Sequence, residues 1–266
     1  PGVKRALERP KTRAPLRPVA TYDRYLAVHA VADQVLMLAR EGERGARLVE
    51  RVGAKHGVRA NGRTGKRGAV KMWMRASYFR DLLELGEQTG RRISALCRLR
   101  YDDVQMGVVA EDMPDGSTRR RRGVVAIRWR PIKGENEQVI PVSPETRATV
   151  ERIVRDRPGV GAAPMFPAPK GASRPMSRHL ADDWMREAEA LARDADGKPL
   201  VHLPGGCWHM FRRKWGTERK HLATQDVMAA GGWRDERSLK EAYQQVDTET
   251  LVAVVNEPRK LREREA

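Results

Sequence analysis

The sequence predicts a mainly helical α+β fold with one small antiparallel sheet of about three strands. Two observations carry this. Apolar residues recur at helical spacing on both sides of the chain, and every β-rich run falls between Val104 and Val142. The length, 266 residues with 40% hydrophobic residues, is enough to bury a sizeable core.

Pro10, Pro15 and Pro18 stand among six Lys and Arg residues in the first twenty, so residues 1–20 read as a basic tail or linker. Tyr25, Val28, Val31, Ala32, Val35 and Leu36 then mark a helix from Tyr22 to Arg40. Between Glu50 and Asp81 there are nine Lys or Arg residues and no acid, with Asn61 to Gly68 as a flexible middle. Two readings of this run stand, a solvated loop or a phosphate-facing segment. The span 41–70 reads as a basic insertion. Helix resumes over Ser77 to Gly86 through Tyr78, Phe79, Leu82 and Leu83, breaks at Thr89-Gly90 and restarts at Ile93, Leu96 and Cys97.

Val108-Val109, Val124 to Trp129 and Gln138 to Val142 are the strand runs, with turn chemistry at Asp115-Gly116 and Lys133 to Asn136. Arg119 to Arg122 precede the second strand. Ser143-Pro144-Glu145 opens a helix carrying Val150, Ile153 and Val154, and Ser177 caps another with Leu180, Trp184, Ala188 and Leu191. Trp208 to Lys220 reads as a helix whose Phe211/Trp215 side differs from the side bearing His209, Arg212 and Arg213. Thr224 starts a short helix that stops at Gly231-Gly232. Ser238 and Glu241 have capping-box spacing before Tyr243, and Asp247 can cap a last amphipathic segment with Leu251, Val254 and Val255. Residues 257–266 are a charged tail.

The charge balance is 52 Lys and Arg against 35 Asp and Glu, a formal +17, which points to a polyanionic partner. Apolar runs such as Met106 to Ala110 are far short of the ~20 residues of a membrane span. Cys97 and Cys207 alone cannot make a disulfide framework or a four-cysteine zinc site, and a reducing cytoplasm is the expected compartment. Cys207 and His209 have no second pair at zinc spacing, and no Walker loop or dinucleotide fingerprint is present, so neither metal nor cofactor is expected.

Thr89 to Leu96 followed by Leu99 to Val104, Ile132-Lys133-Gly134 to Glu145, His209-Met210-Phe211-Arg212-Arg213, Ala230 to Trp233, and Ser238 to Tyr243 together resemble the motifs of the tyrosine recombinase, or phage integrase, family, in the family's order. The resemblance covers residues 21–256 as a catalytic domain. The family's helical core-binding domain has no evident counterpart in these residues, and Ala95 stands where the family commonly has an acid.

The resemblance implies double-stranded DNA as substrate, cut and rejoined through a 3′-phosphotyrosine on Tyr243. It makes Arg92 and Arg212 the phosphate clamp, Lys133 the acid for the leaving 5′-oxygen, His209 a phosphate ligand or base, and Trp233 an indole N–H donor. It also implies a homo-oligomer, a tetramer on DNA, with accessory DNA-bending proteins. Arg63, Lys66, Arg67, Lys71, Arg119, Arg120, Arg121 and Arg122 are the expected phosphate contacts; for the last four a solubilising turn is the rival reading. A type IB topoisomerase-like activity and a non-catalytic DNA-binding relic are the alternative functions.

Overall fold

The structure is a computed structural model that describes residues 17–42, 44, 45, 47, 48, 66–131, 137–203 and 206–244, with side chains from residue 70 onward in the second helix. Arg63, most of the 41–70 insertion, Lys133 with its turn, and the segment bearing Asp247, Leu251, Val254 and Val255 lie outside the described residues.

Helix α1 spans Tyr22–Arg40, as its periodicity predicts. The Thr21 hydroxyl caps it by accepting the Arg24 N–H at 3.1 Å, and Val28, Ala32 and Leu36 are its buried stripe. Residues 17–20 do not behave wholly as a tail. The Ala20 N–H donates to the Met210 carbonyl at 3.3 Å and Arg213 Nε to that of Pro18 at 2.7 Å, so this stretch packs as part of the domain.

Helix α2 spans Lys66–Thr89 and so begins well before Ser77. After Gly68 the sequence has no breaker until Gly86, and Lys, Met, Arg and Ala are strong helix formers, so the charge run continues the helix instead of looping. Lys71 is exposed on it. Leu82, Leu83 and Leu85 are fully buried. Arg152 and Arg157 hold the buried Asp81 at 2.6 and 2.5 Å. Burial pushes the Glu84 carboxyl up, but hydrogen bonds from His29 and Arg152 outweigh it and bring the group to about 2.

Gly90 ends α2 with φ +61; a Cβ there would come 2.5 Å from the Trp215 ring, so both conformation and space require glycine. A single helical turn, α3 (Ile93–Leu96), and a 3-10 turn at Tyr101–Asp103 lead into the sheet.

The sheet has the order β1-β2-β3, with β1 Val104–Asp112, β2 Thr118–Trp129 and β3 Gln138–Pro141, all antiparallel. The predicted Asp115-Gly116 turn is present, with Gly116 at φ +81 and the Asp115 carboxylate accepting the Ser117 N–H at 2.9 Å. Arg119 to Arg122 lie inside β2, neither before it nor in a turn, and pair with Glu111 back to Val108. The run lacks visible alternation because every side chain is arginine, yet the pleat still sorts it onto two faces.

Helix α4 (Pro144–Asp156) is capped by Ser143 and α5 (Arg178–Leu191) by Ser177, as predicted. Helix α6 (His209–Glu218) has no solvated arginine face: Met210 through Thr217 are all buried, Arg212 and Arg213 included. Helix α7 (Thr224–Gly231) ends where expected. Gly232 at φ +70 and the bonds Gly232 N–H to Ala229 O and Trp233 N–H to Met228 O form a Schellman stop. The next cap is Asp235, which accepts the Ser238 N–H at 2.6 Å; the Ser238/Glu241 spacing is not used as a capping box. From it the short helix α8 (Glu236–Ser238) runs into a π turn, Leu239–Tyr243.

The main core joins α1 to α6 and the sheet, and a second small cluster joins Trp215, Val227, Trp233 and Leu239, with Tyr243 packed against it. Among the described residues no helix is long and apolar enough to cross a membrane.

Candidate active site

The second cluster is where the predicted site residues meet. The Gly90 turn presents Arg91 and Arg92, α6 presents His209, Arg212 and Arg213, and the α7 stop presents Trp233. Arg212 is 2% exposed. Its Nη1 donates to the carbonyls of Gly90 and Gly231 at 2.5 Å each, and Nη2 to that of Gly232 at 3.1 Å. Arg92 Nη1 donates to the same Gly232 carbonyl at 3.3 Å, so the two predicted clamp arginines share an acceptor. Arg212 thus takes its acceptors from main chain. Glycines are suited to this, because nothing beyond Cα hinders the approach of the guanidinium.

Trp233 is held between aromatic and cationic neighbours. Its ring stacks on Trp215 at 5.8 Å, meets Tyr243 edge-on at 5.2 Å and lies 3.7 Å under the Arg212 guanidinium carbon. The Arg212 guanidinium carbon also lies 5.3 Å from the Tyr243 ring centre. The Tyr243 main-chain carbonyl accepts the Thr217 hydroxyl at 2.9 Å, fixing the end of the π turn to α6.

The electrostatics are one-sided. Burial, then Arg92, pushes the Arg212 guanidinium down to about 9. Burial, then Arg212, Arg213, Arg92 and Arg17, pushes the His209 imidazole down to about 4, so it is neutral near pH 7. Among the described residues neither Arg91 nor Arg212 forms an ion pair with a carboxylate. Arg212 Nε and Trp233 Nε1 are buried donors that find no acceptor there. Such a concentration of donors and uncompensated charge suits a phosphate-sized anion.

Arg92, His209, Arg212, Trp233 and Tyr243 are thus gathered into one region, while Lys133 falls outside the described residues. Of the expected DNA contacts, Lys66 and Arg67 lie on the first turn of α2. Arg121 is neutralised by Glu111 at 2.7 Å and Glu151 at 2.9 Å, whereas Arg119, Arg120 and Arg122 are exposed. Arg91 was not singled out from sequence. It is buried in the same region, and its only sequence signal is the tandem with Arg92 after a glycine turn. Glu189, His202 and Cys207 also come within 4.8 Å of one another, a grouping that zinc spacing did not suggest; the Glu189 oxygens already hold Arg24 at 2.7 Å and His202 at 2.9 Å.

The fold has known counterparts. The structure is similar to XerA recombinase at TM-score 0.51 and 12% identity, covering 94% of this chain and 67% of that one. It is also similar to the Tn1549 transposon integrase in complex with transposon right end DNA, at TM-score 0.52 and 13% identity, covering 92% of this chain and 66% of that one. The chain has the tyrosine recombinase fold. No protein-family model and no curated protein matches the sequence itself. The chain spans about two thirds of the length of each of these recombinase-fold proteins.

Proposed function

We propose that the chain is a DNA strand transferase whose nucleophile is Tyr243. The observation that carries this reading is the convergence of the Tyr243 ring, the Trp233 indole and the Arg92 and Arg212 guanidiniums around the Gly231-Gly232 turn. The phenolic oxygen forms a bond to the scissile phosphorus while the bond from phosphorus to the 5′-oxygen breaks. The phenolic proton passes to His209 once the bound phosphate offsets the arginine charge that otherwise depresses the imidazole, and Lys133 gives a proton to the departing 5′-oxygen. Arg92 and Arg212 neutralise charge on the non-bridging oxygens, and Trp233 Nε1 adds a donor. Bond energy is kept in the 3′-phosphotyrosine, so a 5′-hydroxyl from another strand reverses the step without ATP. Site-specific recombination or integration, as a tetramer on double-stranded DNA with DNA-bending partners in the cytoplasm, is the setting proposed for it. Residues 21–256 act as the catalytic domain.

The test is incubation with a nicked suicide substrate. A denaturation-resistant protein–DNA adduct is expected from the natural chain and none from Tyr243→Phe. No adduct, or one that survives Tyr243→Phe, refutes the proposal and leaves a DNA-binding relic. Exchange between two sites, as opposed to resealing of one strand, separates a recombinase from a topoisomerase-like enzyme.

A further inference from the structure

Arg91 carries no role in the proposed chemistry, yet it is 6% exposed and has no carboxylate partner among the described residues. Burying a guanidinium this way is costly. Burial, then Arg92, pushes it down to about 10. Its contacts explain where it is held. One nitrogen, Nη2, donates both to the Gln138 side-chain oxygen on β3 at 3.0 Å and to the Ala229 carbonyl on α7 at 2.9 Å. Its guanidinium carbon lies 4.8 Å from the Trp129 ring centre at the end of β2. Its Nη1 sits so close to Gly232 that a Cβ there would be 2.4 Å away. Trp129 and Gln138 are cross-strand partners, the last and first residues of the two strands whose connection carries Lys133. A single side chain therefore joins the base of that hairpin to the turn whose carbonyl holds Arg92 and Arg212.

We propose that Arg91 is a positioning residue that registers the β2–β3 hairpin against the phosphate clamp, so that protonation of the leaving 5′-oxygen occurs in the frame set by Arg92 and Arg212. This inference rests on the strand-transfer reading with Lys133 as the acid. Its chemical signature follows from the leaving group. An alkoxide must be protonated as it departs. A 5′-sulfur in its place leaves as a thiolate, whose conjugate acid has a pKa of about 8.5, and does not need the acid.

The experiment measures single-turnover adduct formation on suicide substrates with either a normal scissile phosphodiester or a 5′-bridging phosphorothiolate. For Arg91→Met, which keeps an unbranched apolar chain against Trp129, adduct formation is expected to slow about 10- to 100-fold on the phosphodiester and stay within about threefold of wild type on the phosphorothiolate. Lys133→Ala follows the same pattern, whereas Arg92→Lys is slow on both. Gln138→Leu removes only the β3 acceptor and shows a smaller form of the same split. The double variant Arg91→Met/Gln138→Leu is no slower than Arg91→Met, since both break one link. Where Arg91→Met fails to melt as a folded protein, the Gln138→Leu split decides. Rescue of Lys133→Ala without rescue of Arg91→Met or Gln138→Leu, or no loss in either variant, overturns the role of Arg91 and leaves strand transfer standing. A wild-type chain that forms no adduct on either substrate overturns strand transfer and, with it, this inference.

Discussion

Replacing Arg212 by lysine keeps the charge and removes the fork, and the structure sets what that change costs. Nη1 bridges Gly90 and Gly231, and Nη2 reaches Gly232, so one planar group ties the α2–α3 turn to the α7 stop. An ammonium donates from a single nitrogen. At best it keeps the Nη1 pair and leaves the Gly232 carbonyl without Arg212, while the face-on contact with Trp233 at 3.7 Å is lost. A hydrogen bond to a charged donor contributes about 1.5–3 kcal/mol and the cation–π contact about 0.5–2 kcal/mol. The expected destabilisation is therefore about 2–5 kcal/mol. Urea unfolding followed by tryptophan fluorescence reads it as a lower midpoint with an unchanged slope. A loss under about 1 kcal/mol would refute the claim that this guanidinium staples the two turns. Under folding conditions Arg212→Lys should also lower adduct formation by about 100-fold or more, with DNA affinity falling by no more than one phosphate contact. Equal losses in both would contradict the assignment of the fork to the transition state.

Two further outcomes follow from charge placement. Arg120 and Arg122 are exposed on one face of β2, while Arg121 on the other face is tied to Glu111 and Glu151. The double change Arg120→Ala/Arg122→Ala should reduce the slope of log K against log salt for DNA binding by about 2, whereas Arg121→Ala lowers the melting temperature and leaves that slope alone; the reverse assignment would refute the face argument. His209 titrates near 4 in the folded chain and near 6.5 unfolded. Between these values the unfolded chain binds more protons, so its contribution to stability is complete above pH 6.5 and is lost as pH falls toward 4. Allowing for partial exposure this is about 1–3 kcal/mol, and urea titrations at pH 4.5 and 7 should show a smaller difference for His209→Asn than for wild type. An unchanged difference would mean that the imidazole is not held neutral.

Much of the frame could be read from the residues. Ser143 and Ser177 cap their helices, and Gly90 and Gly232 end theirs in left-handed geometry, because these roles depend on local backbone chemistry. The start of α2 was hidden because its charges resemble a solvated loop, although exposed Lys and Arg are good helix formers. Asp235 took the cap that Ser238 and Glu241 imitate, a choice that turns on where the chain leaves the Trp233 stop. The burial of Arg212 and Arg213 escaped the sequence for a different reason. Arginine is ordinarily outside, and only tertiary contacts reveal carbonyls ready to receive it.

That last failure bears on the chemistry. A carboxylate beside Arg212 would accept its hydrogen bonds and cancel its charge together. Carbonyls at Gly90, Gly231 and Gly232 accept the same hydrogen bonds from Arg212 without carrying formal charge. The geometry of the guanidinium is thus largely satisfied while its charge is left uncancelled; burial first, and the neighbouring arginines after it, depress both His209 and Arg212. An anion with several acceptor oxygens would relieve both at once, because it brings negative charge and acceptors for Arg212 Nε and Trp233 Nε1 together. Support of Arg212 by main chain alone therefore leaves the anion site electropositive.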